Sequence, residues 1–229
     1  MAYYYEPTFD DQLEYFRHIH AEVATMMNGI RRLYGSAWIN YSPSDFLYSF
    51  VFFNTLYDIN WEKSLDKKRI FRYRYEEKLT ESQMQENYIH FLFSHTAFVE
   101  LYKEHFITYI LQNGGGDKEK VMGTLRGIHF SNEYKEPFLD KFEGLLSGDF
   151  EEHIIKDLTD SIYRVRCNIF HGKKDLKDLG NKQQQKRLII YTSFLIALNQ
   201  MLFSYLDYRK HTGDFVTTTK NEFKRLRKK

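Results

Sequence analysis

The chain has 229 residues, with 33 Lys and Arg against 31 Asp and Glu, for a formal net charge of +2. That length suffices for one sizeable core or two small ones, and 42% hydrophobic with 28% charged residues excludes a disordered polymer. A single cysteine excludes a disulfide scaffold and a cysteine-based zinc cage, and the small net charge makes any nucleic-acid site a local one. Three prolines (Pro7, Pro43, Pro137) leave long stretches free to be helical, and no charged n-region with an apolar h-region opens the sequence. Composition therefore reads as a soluble, cytoplasmic, mostly helical protein.

After the irregular, aromatic MAYYYEP, Thr8 followed three residues on by Asp11 is a helix start signal. Leu13, Phe16, Ile19, Val23, Met26, Met27, Ile30 and Leu33 then recur at three- and four-residue steps up to Gly35, predicting one long helix with an apolar stripe. Ser42-Pro43-Ser44-Asp45 starts a second helix, whose run from Phe46 to Trp61 is apolar nearly all round, as in a buried central element. The charge-dense stretch from Glu62 to Lys78 reads as a solvated extension or a second short helix. Thr80 to Leu111 is expected to be the longest helix, ending at Gln112-Asn113.

Gly114-Gly115-Gly116 marks a flexible break. From Asp117 to Gly148, charge, glycine and short apolar groups alternate, which predicts one or two short helices in an insertion over about 113–149. A helix is expected from about Phe150 to Phe170, stopping at Gly172. A last long one runs from Lys182 to Arg209. There is no internal repeat. The expectation is one all-α domain over 1–212, followed by a basic tail over 213–229. In its last ten residues, KNEFKRLRKK, Lys220, Lys224, Arg225, Arg227, Lys228 and Lys229 face one acid, Glu222. Such a run either holds phosphates by counterion release or is a solvated terminus.

Leu188 to Leu206 carries no charge and is flanked by Lys186, Arg187, Arg209 and Lys210, so it meets the length for a membrane span. It also contains Thr192, Ser193, Asn199, Gln200 and Ser204, which are unfavourable in lipid. A buried helix of a bundle, or one shared with a second subunit, has the same pattern. The stretch reads as core, with no membrane contact.

The nine histidines do not assemble a metal motif. His18 and His20 point to different helix faces, His90 and His95 are poorly placed for one ion, and HExxH is absent. The glycine triplet lacks the Lys-Ser/Thr of a phosphate loop, and no G-x-S-x-G elbow occurs. Neither a metal nor a cofactor is expected. Cys167, with His171 one helical turn on, is a candidate nucleophile, but a lone reduced cysteine is more often a small core residue.

The segment IYRVRCNIFHGKK (Ile162 to Lys174) stands out, with Arg164, Arg166, Asn168 and His171 at a helix end and Gly172 in the position just past it. At about 100° per residue, Arg164 and His171 fall about 20° apart on an ideal helix, and Arg166 and His171 about 140° apart. For Arg166 and His171 to act together, the last turn must unwind or a second subunit must complete the cleft. Otherwise both cations simply complement the negative end of the helix dipole.

This segment resembles the HEPN superfamily, whose members carry Arg, four to six residues, then His near a helix end. Arg166-Cys167-Asn168-Ile169-Phe170-His171 has the four-residue spacing, and VRCNIFHGKK looks like the form found in many uncharacterised bacterial HEPN proteins. FFNTLYDINW, from Phe52 to Trp61, is similar to the Phe-Asn-x-Leu-Tyr core helix of related HEPN-like families. The two motifs cover a small part of the chain.

The resemblance implies a HEPN-like helical bundle, a homodimer with a composite active site, and metal-independent cleavage of RNA. In that reading His171 takes the proton of the RNA 2′-OH as it attacks the adjacent phosphorus. Arg166 stabilises charge on the phosphoryl oxygens, and Asn168 orients the phosphate. The products carry a 2′,3′-cyclic phosphate and a free 5′-OH. Arg164, Lys173 and Lys174 would grip the backbone, and Tyr163 would stack on a base or belong to the core. Such a protein would be a toxin or anti-phage effector with an antitoxin or regulatory protein as partner. Two other readings remain: a non-catalytic HEPN-like module binding RNA, a nucleotide or a protein, and an interaction protein whose Leu188 to Leu206 helix mediates assembly or membrane contact.

Overall fold

The computed structural model describes residues 7–34, 42–128, 132–170 and 179–212. Among the described residues the protein is all-α, with no strand and one isolated antiparallel bridge between Ile59 and Arg72. The helices are α1 (Phe9–Tyr34), α2 (Ser42–Tyr57), α3 (Trp61–Lys67), α4 (Tyr73–Glu76) and α5 (Glu81–Phe93). They are followed by α6 (Thr96–Gly114), α7 (Lys118–Leu125), α8 (Asn132–Ser147), α9 (Glu152–Phe170) and α10 (Lys182–Thr212).

The start signals read from sequence take physical form at the helix ends. The Thr8 hydroxyl accepts from the Asp11 backbone N–H at 3.2 Å, and the Asp11 carboxylate accepts from the Thr8 N–H at 2.8 Å, a reciprocal cap for α1. Ser42 opens α2 as expected, and α2 is buried along most of its length. The helix does not run to Trp61, however. It ends at Tyr57, and Trp61 begins α3. Two local bonds favour the break. The Asn60 side chain caps α3 by accepting from the Lys63 N–H at 3.0 Å, and the buried Trp61 indole donates back to the Leu56 carbonyl at 2.9 Å.

The single helix expected over Thr80 to Leu111 is two helices, α5 and α6, broken at Ser94-His95. Neither glycine nor proline marks the break. The Ser94 hydroxyl donates to the Phe91 carbonyl at 2.7 Å, and His95 leaves helical geometry at φ −114°, ψ 74°. The His95 carbonyl then accepts from both Phe98 and Val99, restarting the helix. The longest helix is instead α10, with 31 residues.

α10 is the axis of the fold, packed chiefly against α6 and α2. Its Phe194 meets Phe106 of α6 edge-on at 5.5 Å, and its Tyr191 meets Phe46 of α2 at 6.3 Å. α10 is the one described helix long and apolar enough to cross a membrane, and 89% of its apolar window is buried inside the protein. Ser193 returns its hydroxyl to the Ile189 carbonyl, and the Ala197 carbonyl accepts from the Tyr102 hydroxyl. The residues after the glycine triplet form α7 and α8. Val121, Leu125, Phe138, Phe142 and Leu145 from these two helices join the same core as α10. α9 lies against α5 and α8 and carries the candidate residues. The basic tail lies outside the described residues.

Candidate functional site

The site is built on α9. Its buried positions Ile154, Ile155, Leu158, Thr159, Ile162 and Val165 follow helical spacing and face the core. That orientation leaves Tyr163, Arg166 and Cys167 half-buried along the edge nearest α2 and α5, and Arg164 exposed on the other side. The Arg166 guanidinium carbon lies 5.5 Å from the centroid of the Phe50 ring and 5.6 Å from that of Tyr163. Both contacts favour the cation through the negative ring faces. Its Nη1 is 3.7 Å from the Cys167 Sγ.

A carboxylate from α5 completes the cluster. Glu81 sits in the first turn of α5, where a reciprocal cap between Thr80 and Gln83 fixes the backbone. One Glu81 oxygen accepts the Tyr163 hydroxyl, and the other accepts the Tyr57 hydroxyl at 3.4 Å. Helices α2, α5 and α9 therefore meet at one acid.

The electrostatics follow from this packing. Burial works against the Arg166 charge, but the Cys167 thiol, Glu81 and Tyr163 outweigh it and hold its pKa above the ordinary arginine value. The bond to Glu81, aided by burial, pushes the Tyr163 phenol well above its usual range. Burial does the same for Tyr57, with the neighbouring Gln85 side chain opposing it and Glu81 adding to it. The cluster is thus a guanidinium beside two protonated phenols, with the Glu81 carboxylate already taken up by hydrogen bonds from both phenols and no histidine among its described members.

Of the residues expected from sequence, the structure brings together Arg166 and Tyr163. Arg164 is apart from them, its guanidinium 4.6 Å over the Tyr134 ring of α8. Asn168 is half-buried in the last described turns of α9. His171, Lys173 and Lys174 lie outside the described residues, and so does the junction at which Arg166 and His171 would have to meet. Sequence reasoning missed Phe50, Tyr57 and Glu81. The Thr80-to-Gln83 cap was a readable signal for the start of α5, but nothing local says that the acid inside it reaches a tyrosine 82 positions on.

No group of three or more His, Cys, Asp or Glu able to hold a metal occurs among the described residues. A separate cleft of about 570 Å³ between α1, α3 and α10, lined by residues such as Leu13, Arg17, Lys68 and Lys210, includes none of the cluster. No family model, no curated protein and no solved structure matches this chain.

Proposed function

We propose that the protein is a metal-independent endoribonuclease of HEPN type, acting as a homodimer on RNA and leaving a 2′,3′-cyclic phosphate. The observation that carries this reading is Arg166: a guanidinium kept charged and held against two rings on α9 (Glu152–Phe170), five positions before His171 in the sequence. The Arg-x4-His spacing and the all-α fold support the same reading.

The chemistry needs few parts. RNA brings its own nucleophile, the 2′-OH. Neutral His171 is the base, suited by an ordinary pKa of about 6.5. Arg166 meets the charge that builds on the phosphoryl oxygens, Asn168 orients the phosphate, and Arg164, Lys173 and Lys174 grip the backbone. A two-fold dimer would set two such helix ends face to face. A toxin or anti-phage role, with an antitoxin or regulatory partner in the cytoplasm, fits this activity.

A second reading has an observation of its own. The Tyr163 hydroxyl is bonded to Glu81 and Arg164 lies on Tyr134, so both are engaged within the fold, as in a module that binds RNA, a nucleotide or a protein without turnover. Cleavage of a mixed RNA pool in EDTA separates the two. The nuclease reading expects cyclic-phosphate ends from the parent protein, with activity lower by on the order of 10²–10⁴-fold in Arg166→Ala and His171→Ala. Folded, dimeric parent protein that leaves the pool intact would favour the binding module.

A further inference from the structure

We propose that Glu81 is the positioning residue of the Arg166 cluster: anchored at the start of α5, its carboxylate fixes the Tyr163 ring on which the Arg166 guanidinium lies. The proposal rests on the reading of that cluster as the site, and its test separates the two.

Glu81 is itself well held. The Thr80 N–H donates to the Gln83 side chain at 3.0 Å, and the Gln83 N–H donates to the Thr80 hydroxyl at 3.3 Å, which locks the turn that carries the acid. The N-terminal end of a helix also favours a carboxylate there. From this fixed point one oxygen receives Tyr163 from α9 and the other receives Tyr57 from α2.

Tyr163 transmits the constraint. Its ring lies against Phe50, with centroids 5.9 Å apart, and the bond from its hydroxyl to Glu81 sets the remaining freedom of the ring. Arg166 is three residues further along α9, so the two side chains are neighbours on one helix face. Arginine has a long, mobile stem, and the ordered shelf of Phe50 and Tyr163 removes much of that freedom before any ligand arrives. Glu81 thereby acts on the orientation of the guanidinium. The consequence for a reaction is a change in turnover with little change in substrate affinity.

A natural control lies on the same two helices. Glu86 of α5 pairs with Lys156 of α9 at 2.6 Å, joining the same helices at a different place. The test uses the full chain and its Glu81→Gln, Tyr163→Phe, doubly substituted and Glu86→Gln forms. The first readout is the rate at which phenylglyoxal modifies Arg166, followed by peptide mass. Glu81→Gln and Tyr163→Phe should each raise that rate about threefold or more, and the double form no further, because both act through one bond. An unchanged rate, or the same rise in Glu86→Gln, overturns the proposal. The second readout is RNA cleavage in EDTA, where Glu81→Gln should lower kcat about tenfold with KM within about twofold. An equal fall in Glu86→Gln, or a change confined to KM, would also overturn it. Should the parent protein cut no RNA, the nuclease reading fails and the labelling rates alone decide the role of Glu81.

Discussion

His95 lies flat against Tyr205, with ring centroids 4.5 Å apart and planes 13° from parallel. The contact joins the break between α5 and α6 to the buried face of α10. Burial, with the charge of Arg209, lowers the His95 pKa to about 4, so the ring stacks in its neutral form. The sign of the pH effect follows. The unfolded chain takes up a proton near pH 6.5 and the folded protein only near 4, so the stabilisation is complete above that upper value and is lost as pH falls through the window. His20, packed against Phe52 and Phe203, is also shifted downward by burial and acts in the same direction. With allowance for solvent at the partly exposed ring, the loss assigned to His95 is on the order of 1–2 kcal/mol. Urea unfolding across this range should show a flatter pH profile for His95→Gln than for the parent, and parallel profiles would refute the assignment.

That break is also where sequence reading failed, and the reason is physical. The periodicity from Thr80 onward is compatible with one helix, because Met84, Tyr88, Phe91, Phe98, Tyr102 and Phe106 all reach the core. What interrupts it is a serine bonding back to its own helix and a histidine whose partner lies more than a hundred residues away. Helix existence was legible because it rests on local periodicity and caps, as at Thr8 and at Asn181, whose side chain accepts from the Gln183 and Gln184 N–H groups. The Arg166 cluster was half legible for the same reason. Tyr163 and Arg166 are near in sequence, but Phe50, Tyr57 and Glu81 arrive through tertiary packing, which leaves no local mark.

Asp58 is a fully buried carboxylate that organises the turn after α2. It accepts from Arg72 Nη1 at 3.0 Å and from the Arg74 backbone N–H at 3.3 Å, and forms an ion pair with Arg74 Nε at 2.6 Å. Both arginines reach water, so removing the acid leaves cations that can rehydrate. The expected cost of Asp58→Ala is therefore about 2–3 kcal/mol, at or below the lower end for a broken buried pair. Asp58→Asn, which keeps an acceptor, should cost about 1–2 kcal/mol. Hydrogen exchange should locate the loosening in residues 58–80, and a uniform loss of protection across the protein would contradict this local role.

Arg187 binds the end of a helix rather than an acid. Its Nε donates to the Thr124 carbonyl in the last turn of α7 at 3.1 Å, where the helix dipole is negative, and its Nη1 donates to Gln184 at 3.2 Å. A Cβ at Gly127 would run into the same guanidinium. Gly127→Ala should therefore push Arg187 away from Thr124 and cost about 1–2 kcal/mol. In an Arg187→Met background the same substitution meets a shorter side chain with no bond to lose, so its cost should fall below about 0.5 kcal/mol. Thermal unfolding of the four proteins measures this coupling directly. Additive effects would mean that Gly127 is required for a reason other than Arg187.

Phe142 tests whether α8 belongs to the core or merely covers it. The side chain is fully buried, 5.7 Å from the Phe138 ring and 6.4 Å from Phe194 of α10. Truncation to alanine should leave a cavity against the central helix and cost about 3–5 kcal/mol, with unfolding still a single transition. Tyr134, at the other end of α8, is 49% exposed and supports Arg164 from outside. Tyr134→Ala should cost no more than about 1 kcal/mol, because a surface cation–π contact is weak. The contrast matters for the proposed site, since α9 carries Arg166 while resting on α8 as well as α5. A core α8 makes Phe142→Ala loosen that support, so the proposed RNA cleavage, if the parent protein shows it, should be lost at a lower temperature in this variant, in step with its lower Tm. An early, separate transition for α8 in Phe142→Ala, with the remaining protein and its activity unchanged, would show instead that α9 is held by α5 alone.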